Sequence, residues 1–380
     1  MINFDNSATT FPKPQSVKNA VALAVERFGG NPGRSGHEIS KAAAVQVYNV
    51  REKAARLFKA EVENVAFTPN CTYALNMAIK GLLQYGGHTV ISSLEHNSAS
   101  RPVYSLYKSR GISYCIAKVE ADDEKTVENF ASLIKPDTKC IICTAASNVT
   151  GQITPYKALA ELAHKHGIAF VCDCAQASGV LGITLADGMD FICTSGHKGL
   201  YGPTGTGLLI TNGAFPLSTI IEGGTGATSA ELAQTDIMPE KLESGTVNTV
   251  GIMGLGKGID FVNAKTQERI KAHETALCEQ LLKALSSLKG VTIYRSEGAS
   301  YAPIVAFNIG EYSSEQVTQY LNSRGFALRG GLQCAALAHH SLGTLLTGTV
   351  RFSPSAFNDR RQVSMLINEI EKIALGKVML

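Results

Sequence analysis

Between residues 64 and 211 the chain alternates short apolar runs with longer stretches of helical period, and this alternation constrains the fold more than any other feature. The runs are NVAFT (64–68), HTVISS (88–93), ISYCIA (112–117), KCIICT (139–144), IAFVCD (168–173), DFICTS (190–195) and GTGLLIT (205–211). Amphipathic stretches lie between several of them, as from Pro155 to His166 and from Ser98 to Arg110. Strands that are apolar throughout have both faces covered, which predicts a mostly parallel sheet within an α/β domain. Upstream, Ser40 is placed to cap a long helix, KAAAVQVYNVREKAARLFKA, rich in good helix formers.

After Gly223 the pattern changes. The stretch EGGTGATSAEL precedes a helical segment expected from about Ile259 to Leu288. Strands VTIYR and IVAFNIG follow, then a helix in SSEQVTQYLNSRG, the short runs FALRG and TVRFSP, and a last helix from about Asn358 to Leu375. These elements suggest a second, smaller α+β unit. No flexible linker marks the seam, which is drawn to give a large unit of residues 12–257 and a small one of residues 1–11 and 258–380.

A hydrophobic fraction of 44% in 380 residues allows a sizeable core, and 35 basic against 32 acidic residues predict neither a nucleic-acid nor an anionic-membrane surface. No apolar run is long enough to cross a bilayer, and MINFDNSATTFPKP lacks the basic and apolar regions of a signal peptide, so a cytoplasmic protein is expected. Nine cysteines are too few for a disulfide scaffold at this length. Cys140 and Cys143 have C-x-x-C spacing, but strand residues three apart face opposite ways and chelate poorly. No second pair completes a zinc site, and no metal is expected. GIMGLGKG (251–258) mimics a phosphate loop, yet Gly258 stands where the magnesium-binding hydroxyl belongs, so close helix packing is the better reading.

The strongest chemical signal is TSGHKGLYGPTGTG (194–207). Lys198 follows a strand and sits among glycines that bring backbone close to a ligand, and a lysine amine can form a Schiff base with a carbonyl. Asp173 ends an apolar strand 25 residues earlier, where open α/β sheets place ligand groups. A buried carboxylate needs a cationic partner, and a pyridinium nitrogen is one. In AFTPNCTYALN (66–76) a strand turns into a helix starting near Cys71 or Thr72, whose free amides and hydroxyl suit a phosphate.

DNSATT (5–10), the 70–76 turn, LEHNSAS (94–100), SNVTG (147–151), DCAQA (173–177), SGHK (195–198) and ESGTVN (243–248) stand in the order and approximate spacing of the class V aminotransferase family. Within it the chain resembles the cysteine desulfurase and selenocysteine lyase branch, which uses pyridoxal 5'-phosphate, from Asp5 to Arg351. The resemblance implies fold type I: a large domain with a mixed, mostly parallel seven-stranded sheet, a small α+β domain, and a homodimer. It implies that Lys198 bonds the cofactor, Asp173 pairs with the pyridine nitrogen, His96 stacks on the ring and Gln176 bonds the ring hydroxyl oxygen. Thr72, Ser195 and His197 would hold the phosphate, with Thr246 reaching in from the partner subunit; Cys71 would be among the cofactor-binding residues, and Asn148 would sit beside ring and substrate.

A second centre is ALRGGLQCAALAHHSLGT (327–344). Cys334 follows a glycine pair and has Arg329 upstream and two histidines downstream, the electropositive setting a reactive thiolate needs. The segment is similar to the Arg-x-Gly-x-x-Cys loop of the short-loop desulfurases, where the cysteine takes sulfur from the substrate. By the same similarity Arg351 would clamp the substrate α-carboxylate, while Arg329 would orient the substrate or lower the Cys334 pKa. The chain departs from the pattern at Cys71, Thr72 and Tyr73, where the family usually carries two threonines and an acid, and at Gln333, where a histidine is common. The implied reaction converts L-cysteine to L-alanine with a persulfide on Cys334, destined for an acceptor protein or thiol. Selenocysteine lyase, cysteine β-lyase and aminotransferase chemistry are the alternatives.

Overall fold

The apolar runs form strands where the alternation places them. The computed structural model describes residues 1–33 and 35–378. The chain opens with strand β1 (Ile2–Asn3) and helices α1 (Gln15–Arg27) and α2 (Glu38–Phe58). Then come β2 (Val65–Thr68), α3 (Cys71–Leu82), β3 (His88–Ser92), α4 (Asn97–Arg110), β4 (Ser113–Ala117), α5 (Asp123–Ala131), β5 (Thr138–Thr144), α6 (Tyr156–Lys165), β6 (Ala169–Asp173), β7 (Phe191–Ser195) and β8 (Gly207–Thr211). The remainder is α7 (Thr249–Lys265), α8 (Gln267–Ser286), β9 (Val291–Ile293), β10 (Val305–Ile309), α9 (Ser314–Ser323), β11 (Phe326–Ala327), α10 (Ala336–Leu342), β12 (Val350–Phe352) and α11 (Arg360–Ala374).

Seven strands make one sheet in the order β2-β8-β7-β6-β5-β3-β4. Neighbours from β7 to β4 run parallel, and β8 runs antiparallel to both β7 and β2, so the sheet is mixed and mostly parallel. Its two faces carry separate apolar cores. Ile141 and Cys143 pack with Phe58, Phe170 and Leu255 on one side, while Cys140 and Ile142 pack with Leu75, Val103 and Leu209 on the other. Cys140 and Cys143 thus lie on opposite faces, as strand geometry requires.

The small unit is a sheet of order β12-β10-β9 covered by α8, α9 and α11. Phe4 joins its core, 4.7 Å from the Phe352 ring, and β1 pairs in parallel with β11, so the chain's first residues pack with its last third.

Two expectations need correction. The cap of α2 is His37 rather than Ser40: the extended His37 backbone lets its Nδ1 accept from the Ser40 amide at 3.2 Å. Ser40 lies inside the first turn, its hydroxyl donating to the Asn31 carbonyl at 2.5 Å. The segment expected from 259 to 288 is two helices, because Thr266 takes φ 65° and starts α8 by accepting from the Arg269 amide at 3.3 Å. Helix α7 begins at Thr249, ten residues before the expected start, and runs unbroken to Lys265. A Cβ at Gly254 would come within 2.9 Å of Val21, and one at Gly256 within 2.5 Å of Val50. Residues 251–258 are therefore a packing face against α1 and α2.

Candidate active site

The site gathers where β6 and β7 end and α3 begins. Asp173 is the last residue of β6, 3% exposed, and its Oδ1 accepts from the Ala175 amide at 2.9 Å and from Cys71 Sγ at 3.4 Å. Both bonds fall on one oxygen, and Oδ2 meets no donor among the described residues. Gly207 of β8 permits this junction, because a Cβ there would lie 2.6 Å from Asn70, the residue capping α3. Lys198 stands in the turn after β7. Burial pushes its ammonium down, against the pull of Asp173, which favours a neutral amine.

The first two amides of α3, those of Cys71 and Thr72, have no acceptor among the described residues. Thr72 Oγ1 lies 2.9 Å from Ser98 Oγ, and the Ser98 amide donates to His96 Nδ1 at 3.0 Å, so the neutral His96 ring carries its proton on Nε2. Burial lowers His96 to about 4 and His197 to about 4, so both rings are uncharged at neutral pH. Ser195 Oγ, His197 Nδ1 and Asn148 Oδ1 are buried without partners among the described residues. Orphaned polar groups in such a cluster point to a ligand. Helix-terminal amides and hydroxyls suit a phosphate, Asp173 Oδ2 suits a protonated ring nitrogen, and the Lys198 amine suits an aldehyde. The residues present fit pyridoxal phosphate.

The N-terminal segment braces this corner. The His197 carbonyl accepts from the Thr10 amide at 3.1 Å, Thr9 Oγ1 at 3.1 Å and Lys13 Nζ at 2.8 Å, and Thr10 Oγ1 reaches the Lys198 carbonyl at 3.2 Å. Gln176 Nε2 donates to the Ser7 carbonyl at 3.1 Å. Thr9, Thr10 and Lys13 escaped the sequence reading, although two of them lie in the DNSATT motif; the motif marks the segment but not its target 187 residues away.

Across the site, Arg351 in β12 is 2% exposed; its Nη1 donates to the Asn148 carbonyl at 2.8 Å and its Nη2 to Asp5 Oδ1 at 2.6 Å. Asp5, at the head of the same DNSATT motif, is a fourth residue missed from sequence. Two of five guanidinium donors are engaged, leaving capacity for a carboxylate. The main chains of Arg329 and Arg351 pair, and Arg329 Nη2 lies 3.8 Å from Cys334 Sγ. Cys334 is exposed, whereas the other cysteines are buried or half-buried. Its expected histidine neighbours are only partly there: His339 is wholly buried and turned to Gln333 and Thr344. Asn148 Nδ2 donates to the Gln333 carbonyl at 2.8 Å. Thr246 is exposed; its Oγ1 accepts from Asn31 Nδ2 at 3.1 Å, and it lines a groove with Pro69, Tyr73 and Gly205.

The family model for class-V aminotransferases matches residues 2–366. A probable cysteine desulfurase of Halalkalibacterium halodurans is 31% identical over 97% of this chain and 92% of its own. One from Methanothermobacter thermautotrophicus is 29% identical over 97% and 94%. The apo structure of a cysteine desulfurase from Thermococcus onnurineus NA1 superposes with a TM-score of 0.91 at 28% identity, over 99% of this chain and 95% of that one.

Proposed function

The chain belongs to the class-V aminotransferase family, and on that premise we propose that it is a cysteine desulfurase in which Lys198 and Cys334 carry the chemistry and Arg351 holds the substrate. Pyridoxal 5'-phosphate, when bound, supplies the electron sink for the pair left on the substrate Cα. Cys71, Thr72, Ser195 and His197 would hold its phosphate, with Thr246 of a second copy completing the site in a homodimer. Asp173 Oδ2, His96 and Gln176 would seat the ring.

Arg351 and Asn148 orient the substrate by its α-carboxylate. Lys198 Nζ, whose charged form burial disfavours, takes the Cα proton and later returns one. The Cys334 thiolate, beside the Arg329 guanidinium, attacks the substrate sulfur. A sulfur–sulfur bond forms and the Cβ–S bond breaks, its pair staying with the three-carbon fragment. That fragment gains a proton at Cβ and leaves as L-alanine, while Cys334 keeps the sulfur as a persulfide for an acceptor protein or thiol. The books balance without an oxidant: one thiol and one cysteine give one persulfide and one alanine.

The observation that carries this reading is the separation of tasks: a buried amine at Lys198 and an exposed thiol at Cys334, each with its own cationic or anionic partner. Cys334→Ser tests it. Alanine formation from L-cysteine should vanish while the cofactor's absorbance stays; unchanged alanine formation removes the proposed nucleophile. We further propose the division into a large unit of residues 12–257 and a small one of residues 1–11 and 258–380, to be moved to the end of α7 if proteolysis cuts there.

A further inference from the structure

The residue before the nucleophile is held in an unusual way. Gln333 and Cys334 are consecutive non-glycine residues with positive φ, 42° and 56°. Left-handed backbone costs a non-glycine residue about 1–2 kcal/mol, so two in succession persist only where their surroundings overdetermine them. The Gln333 amide provides that constraint. Its Nε2 lies 2.7 Å from the Thr349 carbonyl and 3.4 Å from the Arg329 carbonyl, and since a carbonyl cannot donate, the amide orientation follows. Its Oε1 therefore accepts, from His339 Nε2 at 2.9 Å and from Thr349 Oγ1 at 3.2 Å. A carboxamide offers two donors and two lone pairs, and protein partners fill all four.

His339 is locked in turn. With Nε2–H given to Gln333, its Nδ1 accepts from Thr344 Oγ1 at 2.8 Å, and burial lowers its pKa and keeps the ring neutral. The main chain is pinned as well, since the Gln333 carbonyl accepts from Asn148 and the Cys334 carbonyl from the Asn97 amide. What remains unpinned is the Cys334 side chain, exposed beside Arg329.

We propose that Gln333, braced by His339, is a positioning residue for sulfur transfer: its amide sets the backbone that presents the Cys334 thiol, and it acts on that step rather than on carboxylate capture. The proposal rests on Cys334 as the sulfur-accepting nucleophile. A merely structural amide would affect melting temperature alone.

The test uses the cofactor-loaded enzyme and the variants Gln333→Met, His339→Leu and both together. Single-turnover persulfide formation on Cys334 should slow about 10-fold or more in each variant, with KM for L-cysteine changed less than about twofold. The rate of Cys334 alkylation by iodoacetamide, measured without substrate by peptide mass spectrometry, should shift severalfold. The double variant should lose little more than either single one, because both act through one network. If Gln333→Met does not fold, His339→Leu decides alone. Persulfide formation and alkylation at the unaltered enzyme's rates would overturn the positioning role and leave the nucleophile standing. Absence of sulfur on Cys334 in the unaltered enzyme would overturn the nucleophile assignment and this proposal together.

Discussion

The main-chain carbonyl of Cys334 accepts a hydrogen bond from the amide of Asn97, 2.8 Å away, and Asn97 is the first residue of α4. His96, which caps that helix, is the residue assigned to the cofactor ring. One backbone bond thus ties the loop of the proposed nucleophile to the residue proposed to seat the cofactor, and most substitutions at residue 97 leave it intact. Asn97→Pro is the exception, since proline is well tolerated at the first helical position but lacks the N–H. It should cost about 1 kcal/mol in stability. It should also lower kcat for alanine formation more than it raises KM, as steady-state kinetics would show.

Arg351 spans Asp5 and the Asn148 carbonyl with two different nitrogens, 2.6 and 2.8 Å from its partners. A lysine is a point charge and cannot reach both while offering a fork to a carboxylate. Arg351→Lys should raise KM for L-cysteine about 10-fold or more, corresponding to the loss of a charge-assisted bond. An unchanged KM would place carboxylate recognition elsewhere.

Asp173→Asn removes the charge that would keep a ring nitrogen protonated, while an amide oxygen can still accept from Ala175 and Cys71. Turnover should fall about 100-fold or more, with the cofactor's absorbance maximum shifted in spectrophotometric titration. Near-normal turnover would exclude Asp173 as the ring's partner.

Glu95 is wholly buried; its Oε1 accepts from Ser92 Oγ at 2.5 Å and from the Thr144 amide at 2.7 Å, and Oε2 has no partner among the described residues. Burial raises its pKa to about 8. A carboxyl group with a folded pKa above its unfolded one stabilises the fold at low pH, and that contribution is lost as pH rises through about 8. Glu95→Gln does not titrate. Thermal melts between about pH 5 and about pH 8 should therefore show the unaltered protein losing stability relative to the variant, by on the order of a few kcal/mol. Parallel pH profiles would contradict the burial argument.

The seven strands were legible because each is an apolar run bounded by polar or glycine-rich turns, and Asp173 and Lys198 follow from their positions at strand ends. Motif resemblance supplied His96, Asn148, Ser195 and Arg351, residues with no distinctive local pattern. The braces stayed hidden. Asp5 and Arg351 are 346 residues apart, and nothing near either one announces the other. His37 caps α2 although histidine is outside the usual capping set, and Thr266 breaks α7 from α8 with a backbone conformation that threonine seldom adopts. Gln333 looked like a departure from a family pattern; its four-partner amide becomes visible only once Thr349 and His339 are folded around it.

The most direct measurement of the central claim is a single turnover of the cofactor-loaded enzyme with L-cysteine and no reductant, followed by mass spectrometry of the Cys334 peptide. One added sulfur atom on that peptide, with one alanine released per site, is the predicted result. Alanine or pyruvate released with the Cys334 peptide unmodified would contradict it and point to lyase chemistry at the same cofactor.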